Sequence, residues 1–235
     1  MSALNTPGKK IHAGVILTKG VTEMLDLAPF ELFTHLNGSL NKALNFPEEM
    51  AADILDIECH WVTEDGGVAK LKSGAVIQPS HSFQTCPPLD IALMGAHDSY
   101  HYKLSDGEKA FIRQTYEGCS AFLTVCGGIF ALLESGLLGG LTVSAPRPAV
   151  KMLNAMAPHV TFVDRRWSHD GKVWTSSTLL NGTDMMRAFA TETWGGRTGF
   201  VEASLDMGAW PARDVDFKDF KGYHFEAEAP PGFGV

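Results

Sequence analysis

Cys119-Ser120-Ala121-Phe122-Leu123-Thr124-Val125-Cys126-Gly127-Gly128-Ile129-Phe130-Ala131-Leu132-Leu133-Glu134-Ser135-Gly136-Leu137-Leu138 is the stretch whose reading decides the fold. The short apolar run up to Val125 fits a strand buried on both faces. The segment carrying Leu132, Leu133 and Leu137 fits a helix that Gly136 or Gly139 can stop. Cys126 stands at the junction with two glycines behind it. A strand that turns this sharply into a helix holds the residue at the turn in strained dihedrals and exposes its side chain, the logic of a nucleophile elbow. Thr124 and Gly128, two residues to either side, are small enough to let strand and helix pass closely. The first N–H groups of the helix, with Gly127 and Gly128 at its start, then face the sulfur. The expected consequences are a lowered thiol pKa and a place for an oxyanion. The competing reading is a buried cysteine acting as a small hydrophobe. The glycine pair at a strand-to-helix junction favours the reactive one.

The 235 residues suffice for one sizeable α/β domain, and 45% hydrophobic and 20% charged residues are ordinary globular values. A net charge of −8 argues against a general nucleic-acid footprint. Cys59, Cys86, Cys119 and Cys126 show no CxxC spacing and no tight Cys/His cluster, so no zinc site, other metal or disulfide framework is expected. The polar Met1 to Lys10 stretch has no apolar signal region, and no run approaches the length of a membrane span. The expectation is a soluble cytoplasmic protein with reduced thiols.

Outward from the elbow, Ile11 to Leu17 reads as the first buried strand. Asp26 follows in Met24-Leu25-Asp26-Leu27-Ala28-Pro29, with Pro29 in the first turn of a helix that carries Phe30, Phe33 and Leu36. A carboxylate among leucines is costly unless it is hydrogen-bonded or titrates upward, which makes Asp26 a candidate acid or base. A helix cap is the equally weighted alternative. Ile54 to Val62 reads as a strand near an edge, and Gly66 to Ile77 as a short hairpin. Leu89 to Met94 is a third buried strand ending at Gly95-Ala96-His97-Asp98-Ser99. In open parallel sheets ligands lie beyond the carboxyl ends of the strands, so this loop should face Cys126. There Gly95 and Ala96 would offer backbone N–H groups to an oxyanion, and His97 would contact substrate or sit idle on the surface. Ser105 and Glu108 form a capping-box pattern opening a helix to Gly118. A strand through Ser144, a helix opened by Pro146, a strand at Val160 to Val163, a hairpin on Asp170-Gly171 and a helix from about Leu179 to Thr193 complete the pattern.

These parts, in this order, resemble the ThiJ/PfpI superfamily over roughly residues 11 to 195. The resemblance is carried by the Met24-to-Pro29 segment, the Leu89-to-Ala96 strand and turn, the Thr124-to-Gly128 elbow and the Asp170-Gly171 hairpin. Asn181-Gly182-Thr183-Asp184, similar to the family's Gly-x-Asp helix start, adds to it. It implies a glutamine-amidotransferase-like, flavodoxin-type fold: a doubly wound, mostly parallel sheet with helices on both faces. Residues 1–10 would form an N-terminal extension, and residues 196–235 a helix and tail packed on the same domain.

Within the superfamily, Leu25-Asp26-Leu27-Ala28-Pro29 is most similar to the isonitrile hydratase branch. That similarity implies Cys126 as nucleophile, Asp26 as the carboxylate that moves a proton, substrate polarisation by Gly127 with Gly95 or Ala96, no cofactor, and a homodimer acting on a small molecule. This chain departs from the branch in having Gly127 where Thr is usual, Met94-Gly95-Ala96 where Pro-Gly-Gly is usual, and Ser144-Ala145-Pro146 where Thr-His-Trp is usual. Gly127 also excludes the Cys-His pair of the protease and glyoxalase branches. Pro29, Phe30, Ser144 and Trp167 are candidate pocket residues, the aromatics suiting a larger apolar substrate. Two alternatives stand beside the hydratase-like lyase. In one, Asp26 leads an elimination, isomerisation or cyclisation in the same pocket. In the other, a redox-responsive or chaperone-like protein carries an oxidisable Cys126.

Overall fold

The computed structural model describes residues 3–6, 8–38, 46–97, 101–222 and 226. Apolar runs become buried strands because each feeds both faces of one sheet. In β1 (Ile11–Ile16), Ala13 and Val15 enter one apolar layer and Ile16 the other. The same split occurs in β6 (Ile91–Met94), through Ile91 and Leu93 against Ala92 and Met94. In β7 (Ala121–Val125) it runs through Leu123 and Val125 against Phe122.

The remaining strands are β2 (Ile57–Thr63), β3 (Ala69–Lys70), β4 (Val76–Ile77), β5 (His81–Ser82), β8 (Thr142–Ser144), β9 (Thr161–Val163), β10 (Trp167–Asp170) and β11 (Val173–Ser176). The main sheet has the order β10-β11-β7-β6-β1-β2-β5. Only the β10/β11 hairpin pairs antiparallel within it, and its two-residue turn is Gly171-Lys172, one residue later than the Asp170-Gly171 expected, because Asp170 still pairs with Val173. β3 and β4 form the expected small hairpin, while β8 and β9 pair as a separate parallel ribbon. The chain therefore has the doubly wound, mostly parallel architecture expected of it. The path runs from β1 outward to β2 and back to β6 on its other side, so a topological switch point lies between β1 and β6, where ligand crevices form.

One face is covered by the helical stretch from Met24 to Leu36, by the helix Asn181–Trp194 and by the helix Phe200–Met207. The stretch is broken in the middle: Pro29 sits in a tighter turn, Ala28–Glu31, between two short α-helical pieces. The other face carries Asp106–Gly118, Ile129–Glu134 and Val150–Met156. The Ser105–Glu108 capping box is present as read: Ser105 Oγ accepts from Glu108 N, and Glu108 Oε2 accepts from Ser105 N at 2.8 Å. No described helix is long and apolar enough to cross a membrane.

Among the described residues beyond Gly195, Arg213 ties back to the helix Asn181–Trp194. The Arg213 guanidinium donates to Asp184 Oδ2 at 2.5 Å, and the Arg213 N–H donates to Asp184 Oδ1 at 2.8 Å. The Asp184 side chain is only 1% exposed, so Arg213→Ala leaves a buried charge with a single backbone donor. Because Arg213 is partly exposed and water can follow it in, the expected loss is at the lower end of about 3–5 kcal/mol, read from the denaturant midpoint.

Candidate active site

Cys126 directly follows β7 and opens a 3-10 turn, Cys126–Gly128, that continues as the helix Ile129–Glu134. Its φ is +57°, the left-handed region that costs an L-residue about 1–2 kcal/mol and persists where the surroundings enforce it. The glycines after it are there for space. A Cβ on Gly128 would lie 2.4 Å from the Met94 carbonyl oxygen and 2.9 Å from that of Gly95. A Cβ on Gly127 would come within 3.2 Å of the Ala96 Cβ. The elbow thus rides directly on the turn after β6. Gly128→Ala is expected to destabilise by about 1–3 kcal/mol in chemical denaturation, while Gly139→Ala, with no heavy atom near its Cβ, serves as the neutral control.

Asp26 reaches the same place from the segment after β1 and is fully buried. Its Oδ2 accepts the Ala96 N–H at 2.9 Å, and its Oδ1, also buried, has no partner among the described residues. Gly95 makes room for it: a Cβ there would stand 2.8 Å from the Asp26 Cβ and 2.8 Å from Thr22 Oγ1. Burial pushes the carboxyl up to about 7, against the lowering effect of the Ala96 N–H, with the Glu23 charge adding to the rise. Asp26 is therefore not a helix cap but a buried acid poised near neutrality.

The expected lowering of the Cys126 thiol is reversed. Burial pushes it up to about 12, and the neighbouring Asp26 charge pushes the same way. Backbone N–H groups of Gly127 and Leu179 do face the sulfur and favour the thiolate, but less strongly than burial disfavours it. The helix behind the elbow has only six residues, Ile129–Glu134, and the cysteine packs against the apolar layer that holds Leu27, Phe30 and Val125. Leu179 was not visible as a site residue in the sequence. It lies in the turn after β11, next to β7 in the sheet, and its φ of +37° marks a strained backbone that aims its N–H at the sulfur.

The other expected residues divide. The Ala96 N–H is committed to Asp26, so it positions the carboxylate and is not the oxyanion donor it was read as. The His97 imidazole is buried with Nε2 4.0 Å from Glu134 Oε2. Glu134 lies eight residues beyond Cys126, about 12 Å along a helical path, so the ring is drawn toward the far end of that helix. Asp98 and Ser99 lie outside the described residues. Phe30 is a core residue, 2% exposed and in edge-to-face contact with Phe33 and Trp61. Pro29 is buried against Gly182, where a Cβ would meet its Cγ at 2.7 Å.

Trp167 stacks on Trp174 and pairs with Ser176, which in turn pairs with Val125, so it stands at the level of the elbow two strands away. Ser144 is fully buried. Its N–H donates to Thr175 Oγ1 at 2.7 Å, and its hydroxyl has no partner among the described residues. A separate cleft of about 310 Å³ at the ends of β1 and β2 includes Lys19, Glu64, Asp65 and Lys70 but neither Cys126 nor Asp26. Its Lys19 and Glu64 pair with each other at 2.9 Å.

The structure also amends the expectation of no metal-ligand cluster. His12, Glu58 and His60, which no local spacing joins, place ligand atoms within 4.8 Å of one another on β1 and β2.

Among solved structures, the fold is similar to a ThiJ/PfpI family protein from Pseudomonas syringae, with a TM-score of 0.63 and 16% identity over 89% of this chain and 78% of that one. It is also similar to DJ-1beta of Drosophila melanogaster, with a TM-score of 0.67 and 16% identity over 86% of this chain and 100% of that one. In sequence, the chain is 25% identical to an isonitrile hydratase of Pseudomonas putida over 181 residues, covering 75% of this chain and 77% of the relative. Residues 13–192 match the DJ-1/PfpI family, a span that takes in β1, Asp26, the Cys126 elbow and the helix behind Leu179, and the chain belongs to that family.

Proposed function

We propose that the chain is a cofactor-independent hydratase of lyase type that adds water to the isonitrile carbon of a small organic substrate, with Cys126 as nucleophile and Asp26 as acid and base. The observation that carries this reading is the fully buried Asp26. One of its oxygens is anchored by Ala96, the other has no partner among the described residues, and the carboxyl is held near neutrality within electrostatic reach of Cys126. The relationship to an isonitrile hydratase supports the substrate class.

A thiol that stays protonated suits this chemistry. Asp26 in its acid form gives a proton to the isonitrile carbon, making it electrophilic. The Cys126 sulfur adds to that carbon, and the thiol proton passes to the Asp26 carboxylate. The product is a thioimidate, R–N=CH–S–Cys. Water then adds to its carbon, the C–S bond breaks, the thiol regains its proton, and R–NH–CHO leaves. The N–H groups of Gly127 and Leu179 face the sulfur and stabilise negative charge that develops there.

The test is formamide production from an alkyl isonitrile by wild type, Cys126→Ala and Asp26→Asn, with and without a chelator. Turnover lost in both variants and indifferent to the chelator supports the reading; an inactive wild type overturns the substrate class. A second reading, in which Asp26 alone does acid–base work, is favoured by the raised thiol and keeps turnover in Cys126→Ala. The same raised thiol argues against a redox sensor, which needs an accessible thiolate.

A further inference from the structure

Outside the Cys126 site, the parallel pairing of β1 with β2 gathers a second group of chemistry-bearing side chains. The register sets His12 opposite Glu58 and Gly14 opposite His60. Residues 12, 58 and 60 therefore project from one face, away from the layer that takes Ala13, Val15 and Ile57. His12 Nδ1 lies 2.9 Å from His60 Nε2, a hydrogen bond between imidazoles that requires at least one of them to be neutral. The Glu58 carboxylate completes a set whose ligand atoms all fall within 4.8 Å of one another.

We propose that His12, Glu58 and His60 form a binding site for a divalent transition-metal ion of the zinc type. Two imidazoles and one carboxylate are a donor set that such ions favour over the hard cations calcium and magnesium. Tetrahedral bonds of about 2.0–2.2 Å place ligand atoms roughly 3.3 Å apart, so the two rings part by a few tenths of an ångström and turn both lone pairs toward the ion, while the Glu58 carboxylate, within 4.8 Å, swings in. A water fills the fourth position.

Burial is graded as a filled site requires. His60 is 1% exposed, His12 is half-buried, and Glu58 is exposed and opens the path for entry. The His12 main chain is fixed beside β6, its backbone N–H donating to Asp90 Oδ2 at 3.0 Å. His60 is backed by the edge of the His81 ring, centroids 5.0 Å apart, and His81 is itself bonded to Ser80 Oγ. Lys10 competes for the carboxylate, 3.1 Å from Glu58 in an exposed pair that a divalent ion displaces at small cost. The cluster sits near the amino ends of the strands, about 15 Å of strand from the carboxyl ends where the reaction site lies. It therefore ties two strands whose ligands are 46 and 48 residues apart in the chain and takes no part in the chemistry at Cys126.

The test is thermal unfolding of the metal-free full chain with added Zn²⁺, alongside visible spectra with Co²⁺. At about a hundredfold excess over Kd, the wild-type Tm rises by roughly 5–10 °C. Cys126→Ala keeps that rise. His12→Gln and Glu58→Gln, at half-buried and exposed positions that tolerate the change, each lose most of it, as does His60→Gln. The Co²⁺ complex shows tetrahedral d–d bands without a thiolate charge-transfer band. The proposal is overturned by no rise in wild type, by an undiminished rise in His12→Gln and Glu58→Gln, or by a thiolate band that moves the ion to a cysteine.

Discussion

Asp26→Asn is expected to lower kcat for isonitrile hydration by about 10²–10⁴-fold, the range for loss of a positioned acid–base group. The wild-type profile carries the more specific signature. Asp26 is held at about 7, and the acid form protonates the isonitrile carbon, so kcat/KM is level at acidic pH and falls as pH rises through about 7. Asp26→Asn lacks that limb, because the amide does not titrate. The Cys126 thiol, pushed to about 12, contributes no limb in the accessible range. Cys126→Ala falls to background because the thioimidate cannot form. A wild-type profile flat from pH 5 to 9, or the same limb surviving in Asp26→Asn, removes Asp26 from the acid role. Cys126→Ala activity within tenfold of wild type keeps Asp26 and removes the covalent step.

The fold was legible where local chemistry leaves little choice. Cys126-Gly127-Gly128 after an apolar run reads as a tight strand-to-helix junction. The positive φ of Cys126 and the contact of Gly128 with the Met94 carbonyl are that junction realised in space. Asp170-Gly171 between two short β-rich runs marked the hairpin to within one residue, its turn falling on Gly171-Lys172, and Ser105 with Glu108 encoded its cap. Asp26 was legible as a candidate acid or base between leucines with a helix cap weighted equally, and only its burial in the fold separates the two.

What was not legible depends on which groups meet across the sheet. The sign of the thiol shift is set by how deeply Cys126 packs, and a helix N-terminus read from sequence carries no information about that burial. The Ala96 N–H could be counted as a free donor only until Asp26 was seen to take it. Leu179 enters the site through a backbone N–H, which leaves no trace in residue type. His12 joins Glu58 and His60 only through the β1/β2 register, although the Glu-x-His alternation already put the last two on one face of a strand.

Asp26→Asn is also expected to make the protein more stable above neutrality, and the size of the gain follows from the same burial. In the unfolded chain the carboxyl titrates near its ordinary value of 3.8, whereas in the folded chain it titrates at about 7. Between those values the folded state binds more protons than the unfolded state, so stability falls as pH rises through that window. The protonated form is fully favourable below about pH 4, and the penalty for an ionised, buried carboxylate is complete above about pH 7. About three pKa units at about 1.36 kcal/mol each correspond to a penalty of about 4 kcal/mol. Asparagine removes it, because its carbonyl oxygen can still accept from Ala96 and its neutral amide replaces a neutral acid of nearly the same shape. The variant therefore unfolds with wild type at pH 4 and melts roughly 8–16 °C above it at pH 8. The difference between the two proteins isolates Asp26, since every other titrating group is common to both. A gain of the same size at both pH values would instead mean that the amide packs better than the acid, and a Tm at pH 8 no higher than wild type would mean that the carboxyl is not desolvated in the folded chain. Stability and catalysis draw on one feature in opposite directions: the burial that destabilises the ionised fold at neutral pH is what holds a carboxylic acid ready to give up its proton there.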